Sequence, residues 1–142
     1  MHIEQDYVMR MIHQLIEVLL GDIFKGKEKV LEENINKSQE QTEKYDKMKM
    51  LVDNYEINQA ENLLFDNIDI DNIEDLKLAL LFYQYVNDKD NEFLKKSNYS
   101  REEIEQGIKD IAKKYGYENI VDLFLMWNTN YMLYREFVVK RT

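Results

Sequence analysis

Any chemistry in this sequence must come from a short list of side chains. His2 and His13 are the only imidazoles and there is no cysteine. Thiol catalysis, disulfides and zinc sites of the usual Cys/His composition therefore have nothing to be built from. His13 stands four residues before Glu17, a spacing at which an exposed i,i+4 pair is expected. Arg10 is a strong base between apolar neighbours and is the candidate contact for an anionic ligand; Asp6, one helical turn earlier, offers it an ion pair instead. Residues 66–75 (Asp-Asn-Ile-Asp-Ile-Asp-Asn-Ile-Glu-Asp) alternate oxygen donors like a calcium loop, but Ile73 stands where the third ligand should be and no glycine follows. The run reads better as a helix start, with Asp71 as N-cap, Glu74 three residues on and Asp75 favoured by the helix dipole. There is no glycine-rich phosphate loop, no Gly-x-Ser-x-Gly elbow and no Glu-x-x-His pair. No catalytic residue, cofactor or metal ligand is assigned.

The elements that would position such groups are helices. The chain has no proline and four glycines, while strong helix formers recur throughout. Helices are predicted over residues 3–25, 57–67 and 72–86, with a short turn over 91–96. Residues 27–54 read as one long helix or as two with a bend. The sharpest local signal lies at Ser100, an N-cap with Glu103 completing a capping box and Tyr99 set to pack on Ile104. That helix stops at Gly116, a natural left-handed cap, and a last helix follows over 118–140. The helix over 72–86 is apolar nearly all round and is expected at the centre.

Both terminal helices are also wide in apolar residues. In the first, the polar residues gather in one sector (Asp6, Arg10, His13, Gln14, Glu17), and the apolar arc is roughly twice the width that one packing face requires. In the last, Ile120, Phe124, Trp127, Tyr131, Tyr134 and Val138 form a stripe at helical spacing, flanked by Leu123 and Met126. Met11, Leu15 and Leu19 on the first helix, with Trp127, Tyr131 and Tyr134 on the last, are the candidate partner face. The expected fold is all-α: an irregular bundle of five to seven helices, with a helical hairpin resembling a tetratricopeptide-type unit. A single helical domain over 1–142 is expected, with 117–142 as a C-terminal helical extension.

Composition excludes some classes of partner. A net charge of −9 argues against nucleic acid, whose binding rests on Lys and Arg neutralising phosphates. The acidic first residues do not read as a signal peptide, and no window approaches the roughly 18 apolar residues a membrane span needs. Interfacial helices favour Lys and Arg, whereas the first helix region carries a net charge of about −2 through Gly26. No nucleic acid, no membrane and a cytoplasmic setting are expected.

Several segments resemble a known family: residues 6–12 (Asp-Tyr-Val-Met-Arg-Met-Ile), 57–64 (Ile-Asn-Gln-Ala-Glu-Asn-Leu-Leu), 78–87 (Leu-Ala-Leu-Leu-Phe-Tyr-Gln-Tyr-Val-Asn) and 99–104 (Tyr-Ser-Arg-Glu-Glu-Ile), with Tyr115-Gly116. They are similar in type and order to a family of small all-helical bacterial proteins, found mainly in anaerobic Gram-positives and known only as a domain of unknown function. The resemblance covers roughly residues 6–116 and leaves 117–142 outside. It implies a helical, cytoplasmic protein and nothing catalytic. The function expected is that of an interaction or structural protein, a homo-oligomer or the holder of a protein partner, using the apolar arcs of its terminal helices. The rival is a small-molecule binder or enzyme with a pocket between helices, using Arg10 and Tyr or Trp side chains.

Overall fold

A computed structural model describes residues 2–24 and 39–128, with side chains from Asp6 to Gly21 and from Gln39 onward. The described residues form helices α1 (His2–Phe24), α2 (Gln39–Asp53), α3 (Ile57–Asp66), α4 (Ile73–Asn87), α5 (Asn91–Lys96) and α6 (Arg101–Lys114). A seventh, α7, runs over 118–128. Among the described residues there is no strand, so the chain is an irregular all-helical bundle, as its composition and periodicity predict. Whether 27–54 forms one helix or two falls partly outside the described residues; 39–53 is helical.

The caps show how the sequence sets these boundaries. Ser100 Oγ accepts from the Glu103 backbone N–H at 3.1 Å and starts α6. The helix ends at Gly116, whose φ of 83° lies in the left-handed region that glycine enters at little cost. There the Tyr117 N–H bonds to Ala112 O at 2.8 Å and the Gly116 N–H to Lys113 O at 3.1 Å, the pair of bonds that defines a Schellman motif. Asp90 caps α5 through the Phe93 N–H at 2.8 Å. The start of α4 corrects the expectation by one residue. Asn72, not Asp71, is the cap, its Oδ1 accepting from the Glu74 N–H at 3.0 Å. The Asp71 N–H is itself tied to Asp69 Oδ1 at 2.9 Å, so Asp71 belongs to the preceding turn.

Helix α4 is the centre of the bundle. Leu76, Leu78, Ala79, Leu80, Phe82, Tyr83 and Val86 are all buried, on every side of the helix, and α1, α2 and α6 pack against it. Each large apolar side chain fully buried there contributes about 1.5–3 kcal/mol. From α1, Ile12, Leu15, Ile16 and Leu19 enter the same core, while the predicted polar sector faces outward. Helices α2 and α3 pack against each other across residues 54–56 as a helical hairpin. Gly107 has a packing reason for its place inside α6: a Cβ there would overlap the Tyr83 hydroxyl and ring.

Candidate interaction surface

The last helix presents two unlike faces. Val121 is fully buried in the common core, and Ile120, Phe124 and Leu125 are half-buried against it. The Tyr7 hydroxyl of α1 donates to Asn128 Oδ1 at 3.2 Å, which ties the described end of α7 to the bundle. On the outer side Leu123, Met126 and Trp127 are 62%, 57% and 74% exposed. Their spacing of three and one places them on a single helical turn. The stripe read from the sequence therefore splits: Ile120 and Phe124 turn inward, and Trp127 turns outward with Leu123 and Met126. Tyr131 and Tyr134 lie outside the described residues.

The other half of the expected face is corrected. Met11 is 8% exposed, Leu15 0% and Leu19 1%. Helices α4 and α6 both pack on α1, and the part of its apolar arc formed by Met11, Ile12, Leu15, Ile16 and Leu19 is buried inside the chain. Among the described side chains of α1, Val18 is the large apolar one left exposed. Arg10 is exposed, and among the described residues it forms neither the expected pair with Asp6 nor any other ion pair. His13 and Glu17 do pair, at 2.8 Å, and the other ring nitrogen of His13 meets Gln84 Oε1 at 3.1 Å.

Four polar clusters that sequence reasoning missed hold the helices together. Arg101 is only 2% exposed, yet its guanidinium is well satisfied. Nη1 donates to Asn87 O and Asn87 Oδ1, both at 2.9 Å, Nη2 to Lys89 O at 2.8 Å and Nε to Asn91 Oδ1 at 3.2 Å. The Asn87 and Lys89 acceptors sit at and just beyond the C-terminus of α4, where the helix dipole favours a cation, and Asn91 opens α5. Asn87 in turn donates to Met9 O at 2.9 Å, so a single chain of bonds joins α6, α4 and α1. Burial pushes Arg101 below its ordinary pKa, against the pull of Asp6 and Asp90.

The second cluster is Glu61 of α3, whose Oε2 accepts from the Tyr83 hydroxyl at 2.5 Å and the Tyr99 hydroxyl at 2.8 Å. Burial first, and the Glu61 charge second, raise both phenols far above their usual range. They are fixed donors, shifted in the direction opposite to that a catalytic tyrosine base requires. The third is Asp53, which accepts from the Tyr85 hydroxyl at 2.7 Å and from Lys89 Nζ at 2.8 Å. The fourth is Asp75, buried, its oxygens taken by Gln41 Nε2 at 2.7 Å and the Asp69 N–H at 3.0 Å. That inward turn removes Asp75 from the loop over 66–75 as a surface ligand. Among the described residues no group of three or more His, Asp or Glu is arranged to hold a metal ion. No helix of the described residues is long and apolar enough to cross a membrane.

Fold and clusters together describe an all-helical bundle whose buried polar groups serve to fasten helix to helix. The chain belongs to the family of unknown function DUF6483, whose model matches residues 2–116. No curated protein and no solved structure matches it. The family match ends at Gly116, the left-handed residue that terminates α6, so α7 and its exposed face lie beyond it.

Proposed function

We propose that this protein is an interaction module that self-associates through the outer face of α7. The observation that carries the reading is the exposure of Leu123, Met126 and Trp127 on a helix whose opposite side is docked on the core. Their combined area runs to a few hundred Å², which monomers keep small unless it has a use. A two-fold pairing would bring the same row against itself, each copy covering the other, and would need nothing the chain does not carry. Trp and Met suit this role, one as a large anchor and the other as an adaptable filler. The net charge of −9 favours a protein partner over nucleic acid, and the absence of cysteine suits a cytoplasmic setting.

Light scattering across a dilution series tests the proposal. The wild-type chain is expected at a multiple of 17.3 kDa, and the double variant Leu123→Glu/Trp127→Glu at the monomer mass with unchanged helix content. A wild-type protein that stays monomeric at every concentration overturns self-association. In that case a partner of another kind would be the occupant of the face.

A further inference from the structure

Away from α7, helices α2, α3 and α4 leave between them a partly enclosed cavity of about 210 Å³. Its walls are apolar: Met48 from α2, Leu63 and Leu64 from α3, Ile68 beyond it and Leu78 from α4. Two cations stand on the α2 side, Lys44 and Lys47, one helical turn apart. Lys44 reaches Glu40 only at 3.9 Å. Lys47 forms no ion pair among the described residues.

The cavity also touches one carboxylate, that of Asp75. Both its oxygens are already engaged, by Gln41 and by the Asp69 backbone. One N–H of the Asn67 side-chain amide donates to Leu63 O, at 2.9 Å. Of the charged groups at this cavity, the Asp75 carboxylate is engaged, which leaves the two lysines to meet an anion beside an apolar interior. Volume limits the apolar part of any occupant. An engineered apolar cavity of about 150 Å³ takes benzene, so this one has room for a tail of about six to eight carbons.

We propose that this cavity binds a medium-chain aliphatic carboxylate, its tail among Leu63, Leu64 and Leu78 and its head group held by Lys44 and Lys47. Charge complementarity selects the anion. Lys44 and Lys47 are the two positive charges that line the cavity, and its one carboxylate, Asp75, is already engaged. The site is independent of the α7 face and of Arg10; no residue of either lines it. A bound tail would replace water against the leucines, the favourable term, while the two lysines fix which end points out.

The test titrates the full-length protein with octanoate, followed by amide chemical shifts and by calorimetry, with octylamine as the comparison ligand. Saturable shifts confined to α2, α3 and α4 are expected with octanoate and none with octylamine. Lys44→Gln/Lys47→Gln, a change at the cavity rim, should weaken octanoate about tenfold. Ile68→Trp, which fills the cavity from its edge, should abolish binding. No saturable shift below the micelle concentration would overturn the proposal. So would equal binding of octylamine, affinity unchanged in the lysine variant, or shifts centred on α7.

Discussion

Helices α4 and α7 look alike in the sequence and differ in the structure. Both carry apolar residues around most of their circumference. Helix α4 is wrapped by α1, α2 and α6, and from Leu76 to Val86 buried apolar side chains lie on every side of it. Helix α7 is docked through Val121, Phe124 and Leu125 and leaves Leu123, Met126 and Trp127 to solvent. The width of an apolar arc thus states how much surface must be covered, and not which molecule covers it. Helix α1 makes the same point from the other direction: Met11, Leu15 and Leu19 of its wide arc read as a partner face, and its own chain covers them.

The difference between the two helices can be broken by mutation. Phe82 is fully buried on α4, so Phe82→Ala should cost about 3–5 kcal/mol, the transfer term plus the cavity left behind. Trp127→Ala, removing a larger ring from α7, should change the stability of the isolated fold by no more than about 0.5 kcal/mol. Urea denaturation at a protein concentration low enough to dissociate any oligomer measures both. Comparable losses from the two substitutions would mean that α7 is as deeply embedded as α4, and the interface reading would fall with that result.

How far the sequence carries this comparison depends on the range of the signal. The stop at Gly116 and the start at Ser100 rest on bonds between residues three to five apart, and both stand where the local pattern puts them. The polar sector of α1 is equally local and faces outward as predicted. The side on which α1 docks is not local: Met11, Leu15 and Leu19 are buried where a partner face is expected, because an apolar arc wider than one packing face does not mark which part its own chain covers. Arg101 was overlooked for a related reason. In the first turn of a helix behind Ser100 it reads as a surface base, and only the approach of the α4 C-terminus, fourteen residues earlier, buries it. Glu61 gives no hint of its two phenol partners, which come from α4 and from the turn before α6. An acidic residue on an exposed-looking helix position carries no local sign of what will fold down on it.

Arg101 sharpens the contrast between core and surface, because it is a charge that behaves as a core residue. Arg101→Met keeps much of the side-chain volume but strips four donated bonds and leaves the Asn87 and Lys89 carbonyls without their partner. A loss of about 3 kcal/mol is expected. Arg101→Lys should recover only a minor part of it, since a single ammonium cannot span acceptors that a planar fork reaches together. Thermal and urea unfolding of the three proteins would show this; full rescue by lysine would mean that charge alone, rather than the fork, is what the α4 terminus requires.

A smaller loss than at Arg101 is expected at the rim of α4, where Tyr85 and Lys89 meet Asp53 of α2. The Lys89 hydrogen bond holds the Asp53 carboxyl below its ordinary pKa, with burial opposing and the Tyr85 hydroxyl assisting. A carboxylate whose folded pKa is depressed stabilises the fold above its unfolded pKa of about 4, and that contribution disappears as pH falls through the lower folded value. The carboxylate is half exposed (51%), so solvent screens much of the interaction and the effect should stay below about 1 kcal/mol. Asp53→Asn should accordingly lower the urea midpoint slightly at pH 7, and the gap from wild type should close as the pH is brought below about 4. A gap that persisted unchanged in acid would assign the loss to hydrogen-bond geometry with Tyr85 rather than to charge. The α2–α4 contact would then depend on shape at its rim as well as at its centre.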